Sequence, residues 1–329
     1  MKGHVVARLI RNAGVAAMLV SVAFATGTVA RADAPPGGTT AATIPVSTPR
    51  DVESGFGSIW VANGPSRTVT RIDPTTDAVV ALIPVPNPAS VLAAGAGAIW
   101  LTSFPGNSLT RIDPTTNTAT GTVSLAPSGL GPVGITVYKG YVWVANHQGN
   151  PTGSLAKIDP ATMNVVDIIP IGDQSFAGPN WLAAAAGSIW TDVPNINAVV
   201  RIDPTTDAVL ATIPDKGVCG ALAAGDSAVW VAGGGGPGCL PGITRIDPMS
   251  NTVTGMLNAG GQTNSLALDD NTLWYGTSIS NFLGRVDTDS STIVGQLKLP
   301  GAAFGLTAAY GYVWATDPQD GLLLKVQPT

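Results

Sequence analysis

Charge is scarce in this chain. Asp, Glu, Lys and Arg make up 11% of 329 residues, against about 25% in an average soluble domain. Basic charge is the scarcer sign, with 16 Lys and Arg against 21 Asp and Glu and a net charge of −5. The basic footprint that nucleic-acid binding needs is therefore missing. Two His and two Cys exclude His-rich and multi-Cys metal sites. Glutamate occurs only at Glu53, so any carboxylate pair must draw on Asp. No Gly-x-Ser-x-Gly elbow marks a serine nucleophile. What the chain has instead is 40 Gly, 26 Pro and 45% hydrophobic residues. That is enough apolar material for a sizeable core, broken up by turn formers.

Residues 1–34 read as a secretory signal peptide. Lys2, Arg8 and Arg11 form a positive region, Ala13 to Ala25 an apolar stretch, and Ala32-Asp33-Ala34 a small-x-small cleavage site. The apolar stretch falls short of the ~20 residues that span a bilayer, so no membrane span is expected once the signal is removed. Loss of Lys2, Arg8, Arg11, Arg31 and Asp33 takes the net charge from −5 to −8. The expected location is the periplasm or the medium.

Internal repetition decides the fold. An apolar residue followed by Trp recurs at Trp60, Trp100, Trp143, Trp190, Trp230, Trp274 and Trp314, with spacings of 40, 43, 47, 40, 44 and 40. Some ten residues after each stands a basic-apolar-Asp segment, as in Arg71-Ile72-Asp73-Pro74 and Arg201-Ile202-Asp203-Pro204, with weaker copies at Arg285-Val286-Asp287 and Lys325-Val326-Gln327. A period of 40–45 residues with short alternating strands is the signature of a propeller. The prediction is an all-β, seven-bladed β-propeller over residues 35–329. Its four-stranded antiparallel blades start near 49, 88, 132, 179, 218, 263 and 303, with strands lettered A to D from the hub outward. The seventh unit runs out of chain before its D strand. Residues 42–47, Ala-Thr-Ile-Pro-Val-Ser, match Ala211-Thr212-Ile213-Pro214 of another D strand. They are expected to close the ring, removing an unpaired edge. The repeated Trp read as core, and the basic residue of each strand C as pairing with the Asp two positions on or as solvated.

The segments Val142-Trp143-Val144-Ala145-Asn146 and Arg-Ile-Asp-Pro-Thr-Thr resemble bacterial YVTN-type propellers. Gly131-Pro132-Val133-Gly134-Ile135-Thr136 is similar to the virginiamycin B (streptogramin) lyase family. The likeness runs over roughly 42–328. It implies the seven-bladed fold and a ligand site on the face formed by the D–A and B–C connections. The lyases are magnesium-dependent, with His and Glu around the mouth of the central channel and His at the start of strand A. Here the corresponding residues are Arg50, Ala89, Val133, Asn180, Cys219, Asn264 and Phe304; none is His, so the lyase residues do not carry over.

Once everything the repeats share is set aside, a few residues remain for function. Strand A of the first unit reads Pro49-Arg50-Asp51-Val52-Glu53 where other units have small or apolar residues. Asn180-Trp181 opens the fourth unit and Asn264 the sixth. The B–C loops add His147, Asp192, Asn195, Asp317 and Asp320. Arg50, Asp51, Glu53, Asn180, Trp181, Asp192, Asn264 and Asp317 are the candidate ligand-binding residues. His147, the only His beyond the signal, and Asp51 are the candidate catalytic residues. No metal site is assignable, although Ca2+ or Mg2+ remains a candidate cofactor. Lactone-hydrolysing propellers hold a divalent cation with carboxylate and Asn ligands, which Asp51 or Glu53 with Asn180 and Asn264 imitate loosely. Cys219 and Cys239 fall on the same face of the fifth unit and are expected to form a disulfide in an exported chain. The leading expectation is a monomeric binder of a small polar ligand or a protein partner. The alternative is a channel-mouth enzyme, a C–O lyase or lactone hydrolase using a divalent cation.

Overall fold

The computed structural model describes residues 37–126, 130–148, 153–171, 178–217, 219–234 and 239–329. The chain divides into Met1–Asp33 and Ala34–Thr329. The predicted signal peptide lies outside the described residues. The second unit consists of seven four-stranded antiparallel sheets, six of them simple meanders of consecutive strands from hub to rim and the seventh completed by the first strand of the chain. The first blade is typical, with strands Pro49–Gly55, Ser58–Asn63, Thr68–Ile72 and Val79–Pro84. Its A–B turn places Phe56 at φ 52° and Gly57 at φ 72°, the pair of positive values that a two-residue hairpin turn requires.

Ring closure is as predicted, though the closing strand runs over Gly38–Pro45 rather than 42–47. It pairs antiparallel with Leu322–Pro328, from Gly38 opposite Pro328 to Pro45 opposite Leu322. A bulge between Thr40 and Ala42 takes up one extra residue, so the ladder continues towards the N-terminus. Val46 has already left it, donating its N–H to the Gly321 carbonyl.

The core is divided among the seams between blades. Trp60 packs with Leu92, Ile99 and Ile112 of the second blade, and Trp143 with Ile189, Val200 and Ile202 of the fourth. Trp314 packs with Val52, Ile59 and Ile72 of the first. All seven repeated Trp are buried, which removes ~150–250 Å² each, on the order of 4–6 kcal/mol gross at ~25 cal/mol/Å². Five of their indole N–H groups bond back to strand A: Trp60 donates to Gly55 O at 2.9 Å and Trp314 to Ala309 O at 3.2 Å, in both cases the end of the strand, and Trp100, Trp143 and Trp190 do the same.

The basic residues of strand C do not pair with the Asp two positions on, which corrects the sequence expectation. Each such Asp is engaged in its own turn. Asp73 Oδ1 accepts the N–H groups of Thr75 and Thr76, at 2.8 and 3.0 Å. Those bonds hold its carboxyl below the usual range, because they favour the charged form. The basic side chain reaches instead into the next blade. Arg71 donates to Pro114 O and to Asn117 Oδ1, at 2.6 and 2.8 Å. Lys157 takes Pro204 O and Asp207, Arg201 takes Pro248 O and Asn251, and Lys325 takes Pro74 O and Asp77 across the closing seam. Arg285 donates to the Thr329 carbonyl. The acceptor side chain sits at the left-handed residue that ends the C–D turn, with φ of 61° at Asp77 and 57° at Asn117. Asp and Asn tolerate that conformation. Two seams lack the clamp because Met163 and Ser291 hold this position. Arg111 and Arg245 accordingly bond within their own blades, to Thr120 and Thr254.

Candidate functional site

The site is built on strand A of the first blade. Alternation places Val52, 3% exposed, in the seam with Trp314, so Asp51 and Glu53 point the other way, into the hub. Both line a central hollow of about 130 Å³ whose walls come from strand A or its approach in all seven blades, Leu92, Ile135, Leu182 and Leu222 among them. Asp51 Oδ2 accepts the Leu92 N–H at 2.8 Å, and Glu53 Oε1 accepts the Ser54 N–H at 2.8 Å. Burial raises the Asp51 carboxyl to about 6. It raises Glu53 to about 8, with the neighbouring Asp51 charge adding to the effect. The backbone of Asp51 is pressed against the seventh blade: a Cβ on Gly305 would lie 2.8 Å from Asp51 Cα, so only glycine fits there.

Arg50 reaches the mouth through a bulge. Pro49 lies opposite Asn63 and Asp51 opposite Ala62, leaving Arg50 as the extra residue. Asn264 occupies the same kind of bulge between Thr263 and Ser265. Such bulges turn a side chain out of the regular strand alternation. This is how two residues chosen for their chemistry come to stand at the rim. The Arg50 guanidinium lies over the Phe304 ring, 5.8 Å from its centroid.

Two hollows flank that pair. One, of about 530 Å³, is walled by Phe104, Trp181, Phe304, Val91, Val133 and several prolines, and its charged residues are Arg50 and Asp51. The other, of about 410 Å³, is lined by Arg50, Phe304, Asn264, Pro318 and Gln319, with Thr48 and Ser278. Arg50, Phe304 and Pro65 belong to both.

The structure therefore brings together Arg50, Asp51, Glu53, Trp181 and Asn264 among the predicted site residues. Others serve beneath the rim. Asp192 is not in a loop but inside strand Ser188–Val193, fully buried. Its Oδ1 accepts the Trp181 N–H at 2.6 Å, while Thr191 donates to the Trp181 carbonyl at 2.9 Å. Asp192 thus holds Trp181 in place, and its burial pushes the carboxyl up to about 7. Asn180 is engaged through its backbone, donating its N–H to Asp192 O and accepting that of Gly134. Asp317 ends strand Tyr312–Asp317, buried, with Oδ1 accepting the N–H groups of Gln319 and Asp320. Its carboxyl is raised by burial. His147 ends strand B of the third blade, Tyr141–Gln148. Burial lowers its pKa, and it lines none of the three hollows. Residues 149–152 and 172–177 of the adjoining loops lie outside the described residues.

Sequence reasoning missed the aromatic walls, Phe104 and Phe304. The available signal was that both are bulky apolar residues in connections otherwise rich in Gly, Pro and Ser. The Cys219–Cys239 disulfide is present, with Cα atoms 6.0 Å apart. Among the described residues no three His, Cys, Asp or Glu side chains converge to hold a metal ion. No helix among them is long and apolar enough to cross a membrane.

No family model and no curated protein matches the chain. Solved structures do. Hydrazine synthase of Kuenenia stuttgartiensis superposes with a TM-score of 0.75 at 15% identity, over 88% of this chain and 98% of that one. Streptogramin B lyase superposes with a TM-score of 0.72 at 19% identity, over 87% of this chain and 95% of that one. At such identities the likeness is one of fold, and residues determine function separately.

Proposed function

We propose that the protein is an exported, monomeric propeller that binds a small ligand, one with an apolar body and a polar head, on its D–A/B–C face. The carrying observation is the pair of adjoining hollows that share Arg50 and Phe304. Concave, mostly apolar walls with a few convergent polar groups are what small-molecule sites consist of. Export rests on the leader-like residues 1–34 and on the disulfide, a bond favoured in oxidising compartments. Trp181 is the partly buried member of the eight Trp, the other seven being buried in the seams. Its fluorescence is therefore the natural reporter. Affinity capture from a periplasmic extract, followed by titration of the recovered ligand, is the test. Arg50→Ala and Trp181→Ala are expected to weaken binding by about tenfold or more; capture unchanged in both variants removes this face from consideration.

A second reading is favoured by one observation, two hub carboxylates raised to about 6 and about 8. Groups tuned to that range are suited to exchanging protons near neutral pH. The protein would then be a channel-mouth enzyme acting on a lyase or lactone substrate, and a Ca2+ or Mg2+ ion would find Asp51, Glu53 and Asn264 as ligands. Elemental analysis of protein purified without chelator separates the two readings. One divalent ion per chain, lost in Asp51→Ala, favours the enzyme. No bound ion after incubation with both metals favours the binder.

A further inference from the structure

Building on the ligand-binding reading, we propose that the larger hollow is a receptor for α-amino acids with apolar side chains. Arg50 would take the α-carboxylate, Asp51 the α-ammonium, and the Phe104–Trp181–Phe304 wall the side chain. The observation behind this is the charge content of the hollow. Its lining carries one cation and one anion, Arg50 and Asp51, on otherwise apolar and proline-rich walls. The two come from consecutive residues of a strand, which ordinarily face apart. The bulge at Arg50 lets both reach one cavity.

Neither charge is spent on the other. The ion pairs within 4.0 Å among the described residues are Lys157–Asp207 and Lys325–Asp77, and Arg50 and Asp51 do not form one. Arg50 is exposed and rests on the Phe304 ring, leaving its N–H fork for a planar carboxylate. Asp51 commits Oδ2 to the Leu92 N–H, and the residue lines the larger hollow as well as the central one. A zwitterion bridges two separated, opposite charges. A simple carboxylic acid would leave Asp51 unmet, and a simple amine would leave Arg50 unmet. Covering Asp51 without a partner is costly, and the Arg50 fork adds a bidentate contact to the carboxylate, so each half of the zwitterion contributes to recognition. The remaining walls ask for hydrocarbon, and a volume of about 530 Å³ admits the largest side chains.

The test is titration of the mature protein, by calorimetry and Trp fluorescence, with leucine, phenylalanine and tryptophan. N-acetyl-leucine, leucinamide and glycine serve as probes lacking the ammonium, the carboxylate and the side chain. The expected result is binding of the apolar amino acids, weakened by about tenfold or more in each of the three altered probes. In Arg50→Ala the difference between leucine and leucinamide should vanish. In Asp51→Asn, which keeps an oxygen for the Leu92 N–H, the difference between leucine and N-acetyl-leucine should vanish. Equal binding of leucine, its amide and its N-acetyl form overturns the amino-acid assignment while leaving an apolar site standing. Binding of none of the free amino acids overturns it as well, and the capture experiment above then judges the face independently. Circular dichroism of the two variants confirms that the ring is intact.

Discussion

Arg71, Lys157, Arg201 and Lys325 repeat one contact on the A–B/C–D side of the ring, each reaching a proline carbonyl and an Asp or Asn of the next blade. On the D–A/B–C side the contacts that repeat are smaller, as where Thr102 and Thr316 donate to the Val133 and Arg50 carbonyls of the next blade, and the distinctive features each belong to one or two blades. Arg50 and Asn264 stand in bulges, Asp192 supports a Trp found in one blade only, and a disulfide ties Cys219 to Cys239. One face spends its polar groups on joining neighbours. The other keeps a cation and two carboxylates out of ion pairs, Arg50 and Asp51 at the mouth and Asp51 and Glu53 in the hub. With the proposed binding site on that face, stability and recognition would fall largely to opposite ends of the same strands.

That division predicts a graded response to substitution. Lys325→Met should have the largest effect, about 3 kcal/mol in urea unfolding, because it removes a buried ammonium from Asp77 and Pro74 O at the seam that closes the ring. A loss below about 1 kcal/mol would mean that the clamps are ornamental. Arg71→Ala should cost about 2 kcal/mol, since three hydrogen bonds and the stacking on Trp60 go with it. Arg111→Ala, whose side chain bonds only to Thr120 in strand D of its own blade, should cost less than about 1 kcal/mol. Equal losses for the two would erase the distinction between clamped and unclamped seams.

The recognition face makes a prediction in pH. Asp51, Asp192 and Glu53 ionise at about 6, 7 and 8 when folded, and at the model-peptide values of 3.8 for Asp and 4.5 for Glu when unfolded. Between those limits the folded chain holds protons that the unfolded chain has released. Stability is therefore greatest at the acidic end and falls as pH rises towards 8. The thermal midpoint should drop over this span, and Glu53→Gln should flatten the upper part of the drop. A midpoint rising with pH would contradict the burial of these carboxyls. The smallest effect is a gain. Ser291→Asn supplies the missing acceptor for Arg245 at a left-handed position, φ 52°, and should add about 0.5–1 kcal/mol.

The architecture was legible because it is written seven times. A Trp at 40–47 residue spacing and a Pro-bearing turn after five of the six strand C Asp residues leave few other folds to consider. The clamps were not legible. Three sets of partners lie 43 to 50 residues away in the next repeat and the fourth 248 to 251 away across the closing seam, while an Asp two positions along most of these strands offered a nearer and misleading partner. The candidate site divides in the same manner. Arg50, Asp51, Glu53, Trp181 and Asn264 stood out as departures from the repeat. Asp192, Asp317 and His147 also departed from it, but strand B runs farther than its hydrophobic pattern suggests, so they fall inside strands rather than in loops. Phe104 and Phe304 left no polar signature, since an apolar residue in a connection looks like spare core.

The closing strand has a mechanical consequence. Gly38 pairs with Pro328 and Pro45 with Leu322, so the two ends of the ring leave the last blade side by side, at the same end of one antiparallel ladder. A load applied between them would not shear that ladder as a whole. It would peel it rung by rung, beginning at Gly38 and Pro328, and the ring would open at its weakest hydrogen bond rather than resist with all of them at once.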